Sequence, residues 1–144
     1  MSETTMDFAK LTELIERGIP FNQVLGIRVE ELREGYVKLC VPFRPELIGD
    51  TRRPALHGGV ISSLVDVCGG FAVWTCCRLE DRLATIDLGV DYLRPAPDKD
   101  LYAEATVRLL GNRVGNAQVI VWAAGEPDKH VAVGRCVYNI RRGK

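Results

Sequence analysis

An aspartate in the middle of an apolar stretch is the first residue of this sequence that needs a chemical reason. From Gly58 to Cys77 the chain runs twenty residues with Asp66 as the sole charge. Burying an unpaired carboxylate costs several kcal/mol, so an acid there is either paired or used. Its neighbours at helical spacing are Ser62, Ser63, Gly69 and Gly70, which offer no cation and leave space around it. Two readings stand open: a core aspartate bonded to a backbone group or hydroxyl of another strand, or an acid in a crevice that moves protons or attacks. A second candidate lies eight residues earlier, in Leu56-His57-Gly58-Gly59. Two glycines at a helix start bare unpaired N–H groups at the positive end of the helix dipole, which favours a carbonyl oxygen that is becoming negative. The plainer alternative is a tight turn into the helix with His57 as cap or packing residue.

Spacing links the two candidates. Eight residues of helix advance roughly 12 Å, so one small carbonyl does not reach both Gly58 and Asp66 of the same helix. If both serve one site, Gly58 comes from one chain and Asp66 from another. A two-fold pairing achieves this twice, so the chemistry predicts a homodimer.

These residues need a scaffold, and the rest of the sequence describes one. With 144 residues, 47% hydrophobic and 26% charged, the chain reads as one domain over 1–144 with one core. The 19 basic and 19 acidic residues cancel, which leaves no cationic excess for nucleic acid or a membrane surface. Five cysteines without paired metal-ligand spacing read as reduced, mostly buried thiols of a cytoplasmic protein, with no metal site expected. Met1–Lys10 has no apolar core and does not read as a signal peptide. The apolar run is long enough to span a bilayer, but its central acid, four glycines and two serines favour a helix buried in protein.

Residues 1–20 form a lead-in with a helix from about Asp7 to Arg17, stopped by Gly18 and Pro20. Strands follow at Ile27–Leu32 and Tyr36–Pro42, joined at Glu34-Gly35, then a loop from Phe43 to Ala55 and the apolar helix over 57–78. Beyond it the period becomes two. Ala84, Ile86, Leu88, Val90 and Tyr92 alternate with Thr85, Asp87, Gly89 and Asp91, and similar alternation covers 101–109, 119–123 and 131–137. The fold class is α+β: an antiparallel β-sheet wrapped around a long central α-helix.

His57-Gly58-Gly59, Asp66 and Gly70, preceded by Leu25-Gly26-Ile27 and followed by Asp91-Tyr92-Leu93-Arg94-Pro95, resemble the hotdog-fold acyl-CoA thioesterases over about residues 20–141. The aspartate on the helix resembles the phenylacetate-pathway branch. The resemblance implies hydrolysis of an acyl-CoA thioester by a homodimer or dimer of dimers, with no cofactor. It makes the Gly58 N–H the group that polarises the carbonyl, Asp66 of the partner subunit the base or nucleophile, and Thr85 a hydroxyl that helps place water. His57 and Gly59 contact substrate near the thioester. Arg94 and Arg113, with Arg52 and Arg53 as further candidates, suit the phosphates of coenzyme A. One feature departs from the pattern: Gly49-Asp50-Thr51-Arg52-Arg53-Pro54 lacks the asparagine several relatives carry before His-Gly-Gly. The alternatives are a dehydratase or hydratase on the same fold, and a non-catalytic acyl-CoA-binding module. Trp74 and Trp122 read as core or interface residues. The acyl group reads as aryl or medium alkyl.

Overall fold

The computed structural model describes residues 5–144. The first four residues of the lead-in, and with them part of the expectation about Met1–Lys10, lie outside the described residues. The chain opens with α1 (Phe8–Glu13), a π-helical turn (Leu14–Gly18) and α2 (Pro20–Leu25). Asp7 caps α1 by accepting from the Lys10 N–H. The expected helix from about Asp7 to Arg17 is helical throughout, passing from α to π at Leu14 and ending at Gly18, and a second helix, which was not expected, starts at Pro20. Pro20 is the reason: it cannot donate within a helix but suits the first turn of a new one.

β1 (Arg28–Arg33) and β2 (Tyr36–Val41) form the expected hairpin. The segment expected as plain loop holds a 3-10 turn (Pro45–Leu47) and a small two-stranded sheet of β3 (Ile48–Asp50) and β4 (Ala55–Leu56). Then come α3 (Gly58–Trp74), β5 (Arg82–Tyr92), β6 (Leu101–Leu110), β7 (Val114–Ala123) and β8 (His130–Arg141). The main sheet is antiparallel with the order β1-β2-β6-β7-β8-β5. The sheet curls about α3, whose Leu64, Val65, Cys68, Ala72 and Val73 have no exposed surface. Among the described residues no helix is long and apolar enough to cross a membrane.

One expectation about α3 needs correction. It ends at Trp74, four residues short of Arg78. The Thr75 hydroxyl donates to the Ala72 carbonyl (2.5 Å) and accepts from the Gly35 N–H (2.8 Å), and Cys76 and Cys77 bond three residues back, which tightens the last turn and stops the helix. On one side of α3, Asp66, Val67, Gly70 and Trp74 are only half-buried, so one face stays open in the single chain.

Candidate active site

The open face of α3 meets β5, and β5 does not alternate as the sequence suggests. The strand carries a bulge between Thr85 and Asp87 in its pairing with β8. Leu83 packs on the core and Thr85 faces the helix. Ile86 is thrown outward, 57% exposed, and Leu88 and Val90 return to the core side. An extra residue in one strand shifts the phase by one, which re-aims every side chain after it. The expectation that Ala84 and Ile86 share the inner face with Leu88 is therefore wrong, and the bulge is what lets Thr85 serve the helix.

Thr85 uses that position to donate from Oγ1 to Asp66 Oδ1 at 2.8 Å. The Asp66 carboxylate is half-buried rather than fully enclosed. Its second oxygen has no hydrogen-bond partner, and no cation pairs with it, among the described residues. The Asp66 backbone is held from the other side, where Tyr138 OH donates to its carbonyl oxygen at 2.7 Å. Burial raises the Tyr138 pKa far above the ordinary value, so the hydroxyl stays a donor. Burial also lifts the nearby Cys136 thiol to about 11, which keeps it from acting as a thiolate.

The other candidate group sits at the helix start. His57 is the N-cap, and its Nδ1 accepts from the Gly59 N–H at 2.8 Å. A Cβ at Gly59 would lie 2.9 Å from that nitrogen, so the cap needs a glycine there. With Gly59 engaged, Gly58 is the residue whose N–H finds no acceptor among the described residues. The carbonyl of Gly58 accepts from Tyr92 OH at 3.0 Å, which pins the end of β5 to the helix start. Gly58, Tyr92 and Arg94 line one hollow, while Asp66, Thr85 and Tyr138 line another. Within one chain the two groups stand apart, as roughly 12 Å of helix between them requires.

The arginines divide in the same way. Arg94, exposed, shares the hollow of Gly58. Arg113 lies in the turn before β7, where its carbonyl accepts from the Ile140 N–H at 2.7 Å, and it lines a third hollow with Asn112, Arg141 and Arg142. Arg94 is bonded beside Val131 and Arg113 beside Ile140, nine residues apart on β8 or about 30 Å. The two arginines do not share a mouth on one chain. Arg52 folds onto Asp50, which holds the Asp50 carboxyl below the ordinary carboxylate value through backbone and side-chain hydrogen bonds. His130 opens β8 opposite Trp122, far along the strand from Tyr138 and Asp66. No group of three or more metal-ligating side chains occurs among the described residues.

Sequence reasoning missed Tyr138 and the anchoring role of Tyr92. Tyr138 looks like any inward residue of an alternating strand. Tyr92 stood inside a recognised motif but carried no signal of its contact with Gly58.

A family model described as the thioesterase superfamily matches residues 54–129. The medium/long-chain acyl-CoA thioesterase YigI of Escherichia coli K12 is 33% identical over 120 residues, covering 74% of this chain and 77% of that protein. An X-ray structure of a protein from the thioesterase superfamily aligns with a TM-score of 0.83 at 34% identity, covering 92% of this chain and 97% of that one. The thioesterase HI1161 of Haemophilus influenzae aligns with a TM-score of 0.82 at 22% identity, covering 96% and 93%, a likeness of fold. With its six-stranded antiparallel sheet curled about one long helix, the chain belongs to the hotdog-fold thioesterase superfamily.

Proposed function

We propose that this chain is a cytoplasmic acyl-CoA thioesterase that works as a homodimer, with each site shared between two subunits. The observation that carries the reading is the pairing of two uncommitted groups: the Gly58 N–H without an acceptor, and the Asp66 carboxylate with one oxygen held by Thr85 and the other open. The similarity to YigI supports acyl-CoA as the substrate class.

The geometry of β5 supports the sharing. β5 is the last strand of the sheet, so its outer edge has no partner among the described residues. An open eleven-residue edge invites pairing with another strand. A two-fold axis through Gly89 pairs Leu88 with Val90 of the partner strand, and the bulge at Ile86, which takes up one residue, then sets Thr85 of each strand opposite Tyr92 of the other. Thr85 holds Asp66 and Tyr92 holds Gly58, so this register brings Asp66 of the partner subunit to the free Gly58 N–H. It also sets Arg94 at the mouth of the joined hollow, in reach of the phosphates of coenzyme A. Arg113 comes from the Asp66 side of the same site. His57 and Gly59 shape the carbonyl end through the cap they form together, and a pair of such dimers is the larger assembly the family resemblance implies.

In this site the Gly58 N–H, backed by the helix dipole, accepts the charge that grows on the thioester oxygen. Asp66 acts as general base through its open oxygen, and Thr85 fixes the other. Water loses a proton to Asp66 and attacks the carbonyl carbon. The C–S bond breaks, and the proton passes to the departing thiolate, giving a free acid and coenzyme A. The dehydratase reading needs a histidine paired with an acid, and here His57 is committed to Gly59 while His130 is distant.

The test is release of free thiol from a panel of acyl-CoAs by the purified protein, with acid formed in equal amount. Turnover across the panel supports the reading. Tight acyl-CoA binding without thiol release assigns the chain to the binding-module class instead.

A further inference from the structure

The hollow that begins at Asp66 continues along the open face of α3. Its walls include Ile19, Gly70, Leu83 and Trp74, with Thr85 beside Asp66. Asp66, Gly70 and Trp74 follow each other at steps of four on one helix face. From Asp66 to Trp74 the helix advances roughly 12 Å.

The far end is rigid. The Trp74 ring stacks on Phe71, with centroids 5.5 Å apart and planes 10° from parallel. Its Nε1–H donates to the Arg78 carbonyl at 3.1 Å, so the indole is fixed at both the ring face and the edge. The floor is kept open by Gly70, where a Cβ would lie 3.2 Å from the Tyr138 ring. One wall comes from the break in the amino-terminal helices. Ile19 is the single extended residue between the π-helical turn and α2, with φ −110° and ψ 112°. π-helical turns often mark functional places, and this one delivers Ile19 to the hollow.

We propose that this hollow is the acyl channel, that Trp74 is its end stop and Ile19 its side wall, and that it takes an unbranched alkyl chain of medium length. The proposal rests on the shared-site reading above and sharpens its substrate class. An extended chain advances at most about 1.2 Å per bond, since three backbone bonds span about 3.6 Å, so roughly 12 Å holds about ten bonds. Trp74, expected from the sequence to be plain core or interface, becomes the residue that measures the substrate.

The test is kcat/KM for straight-chain acyl-CoAs of about four to about sixteen carbons, on the full-length protein and on Trp74→Ala, Trp74→Leu, Ile19→Ala and Leu93→Ala. In the parent protein kcat/KM climbs by up to about four-fold per methylene as the chain fills the channel, then falls beyond about ten carbons. Trp74→Ala raises the ratio of long-chain to short-chain kcat/KM by about ten-fold or more, the worth of one or two buried methylenes. Trp74→Leu moves it in the same direction by less, and serves if the alanine variant fails to fold by circular dichroism. Ile19→Ala broadens the preference toward branched chains. A uniform fall at every chain length in both Trp74 variants overturns the proposal, because a structural role moves all substrates together. Leu93 lines the hollow beside Gly58, so a shift of the optimum by Leu93→Ala instead also overturns it, by placing the acyl chain there. If the parent protein releases thiol from acyl-CoAs of every length equally, the channel falls while the thioesterase reading stands. If it releases thiol from none, both fall.

Discussion

Two aspartates flank the second half of α3 and its exit, and they are built for opposite ends. Asp81 is 1% exposed and has both oxygens occupied. Oδ2 accepts from the Arg78 N–H (2.8 Å) and Arg142 Nη1 (3.2 Å), and Oδ1 from the Gly143 N–H (2.8 Å). It ties the carboxyl-terminal segment to the turn that leaves the helix. Asp66 is half-buried, with one oxygen held and one free. A saturated carboxylate joins pieces of structure, and a half-satisfied one beside an opening remains available to a substrate.

Substitution should separate them cleanly. Asp66→Asn keeps the shape and the Thr85 contact but removes the proposed base, so kcat should fall by about 10²–10⁴-fold with little change in melting temperature. Steady-state kinetics beside a thermal melt checks this, and near-normal turnover would remove Asp66 from the reaction. Asp81→Asn should do the reverse. It leaves Arg142 and two N–H groups short of a full acceptor and should cost about 2 kcal/mol in urea unfolding, with kcat retained. Between the two falls Thr85→Ala, which loses one hydrogen bond of about 1.5 kcal/mol and should slow turnover about ten-fold without loss of fold.

The smallest effect is in acid. Burial alone would raise the Asp81 pKa, but the N–H groups of Arg78 and Gly143 and the Arg142 guanidinium outweigh it and hold it below the ordinary carboxylate value. A depressed folded pKa contributes stability that is fully present above the unfolded value of about 3.9 and is lost as pH falls through the folded one. The stability gap between the parent protein and Asp81→Asn should therefore hold near neutrality and narrow below about pH 4, as urea midpoints measured along a pH series will show. A gap constant down to the lowest pH would mean that the Asp81 charge contributes nothing.

The same pair shows what the sequence could reveal. Asp66 drew attention because it interrupts an apolar run. Asp81 sits among Arg78, Glu80 and Arg82, where nothing hints that it is the buried one. Burial of an acid is decided by what folds over it, here Arg142 and Gly143 from 61 and 62 residues away. Strand existence was legible from alternation over 84–92, 101–109 and 131–137, since a half-buried strand imposes period two. The place of β5 at the far end beside β8 was not legible, because a long connection leaves the partner open. The phase error at Ile86 has a similar source: a bulge depends on the pairing strand, and one strand's sequence does not contain it. The cap residue His57 and the free Gly58 N–H were legible because both follow from a helix start with two glycines. Tyr138, which holds Asp66 from β8, depends on contact across 72 residues of sequence.

The central claim is that Gly58 and Asp66 act across a subunit boundary. Gly58→Pro removes the N–H while suiting the first position of a helix, and His57 before it already has the extended backbone that a proline requires. Alone, Gly58→Pro and Asp66→Asn should each be nearly inactive. The decisive measurement is the activity of the two variants unfolded together and refolded as mixed dimers. A shared site predicts recovery of about a quarter of the parent activity, since half the dimers are mixed and each of those regains one intact site. Mixed dimers as inactive as either variant alone would contradict the account.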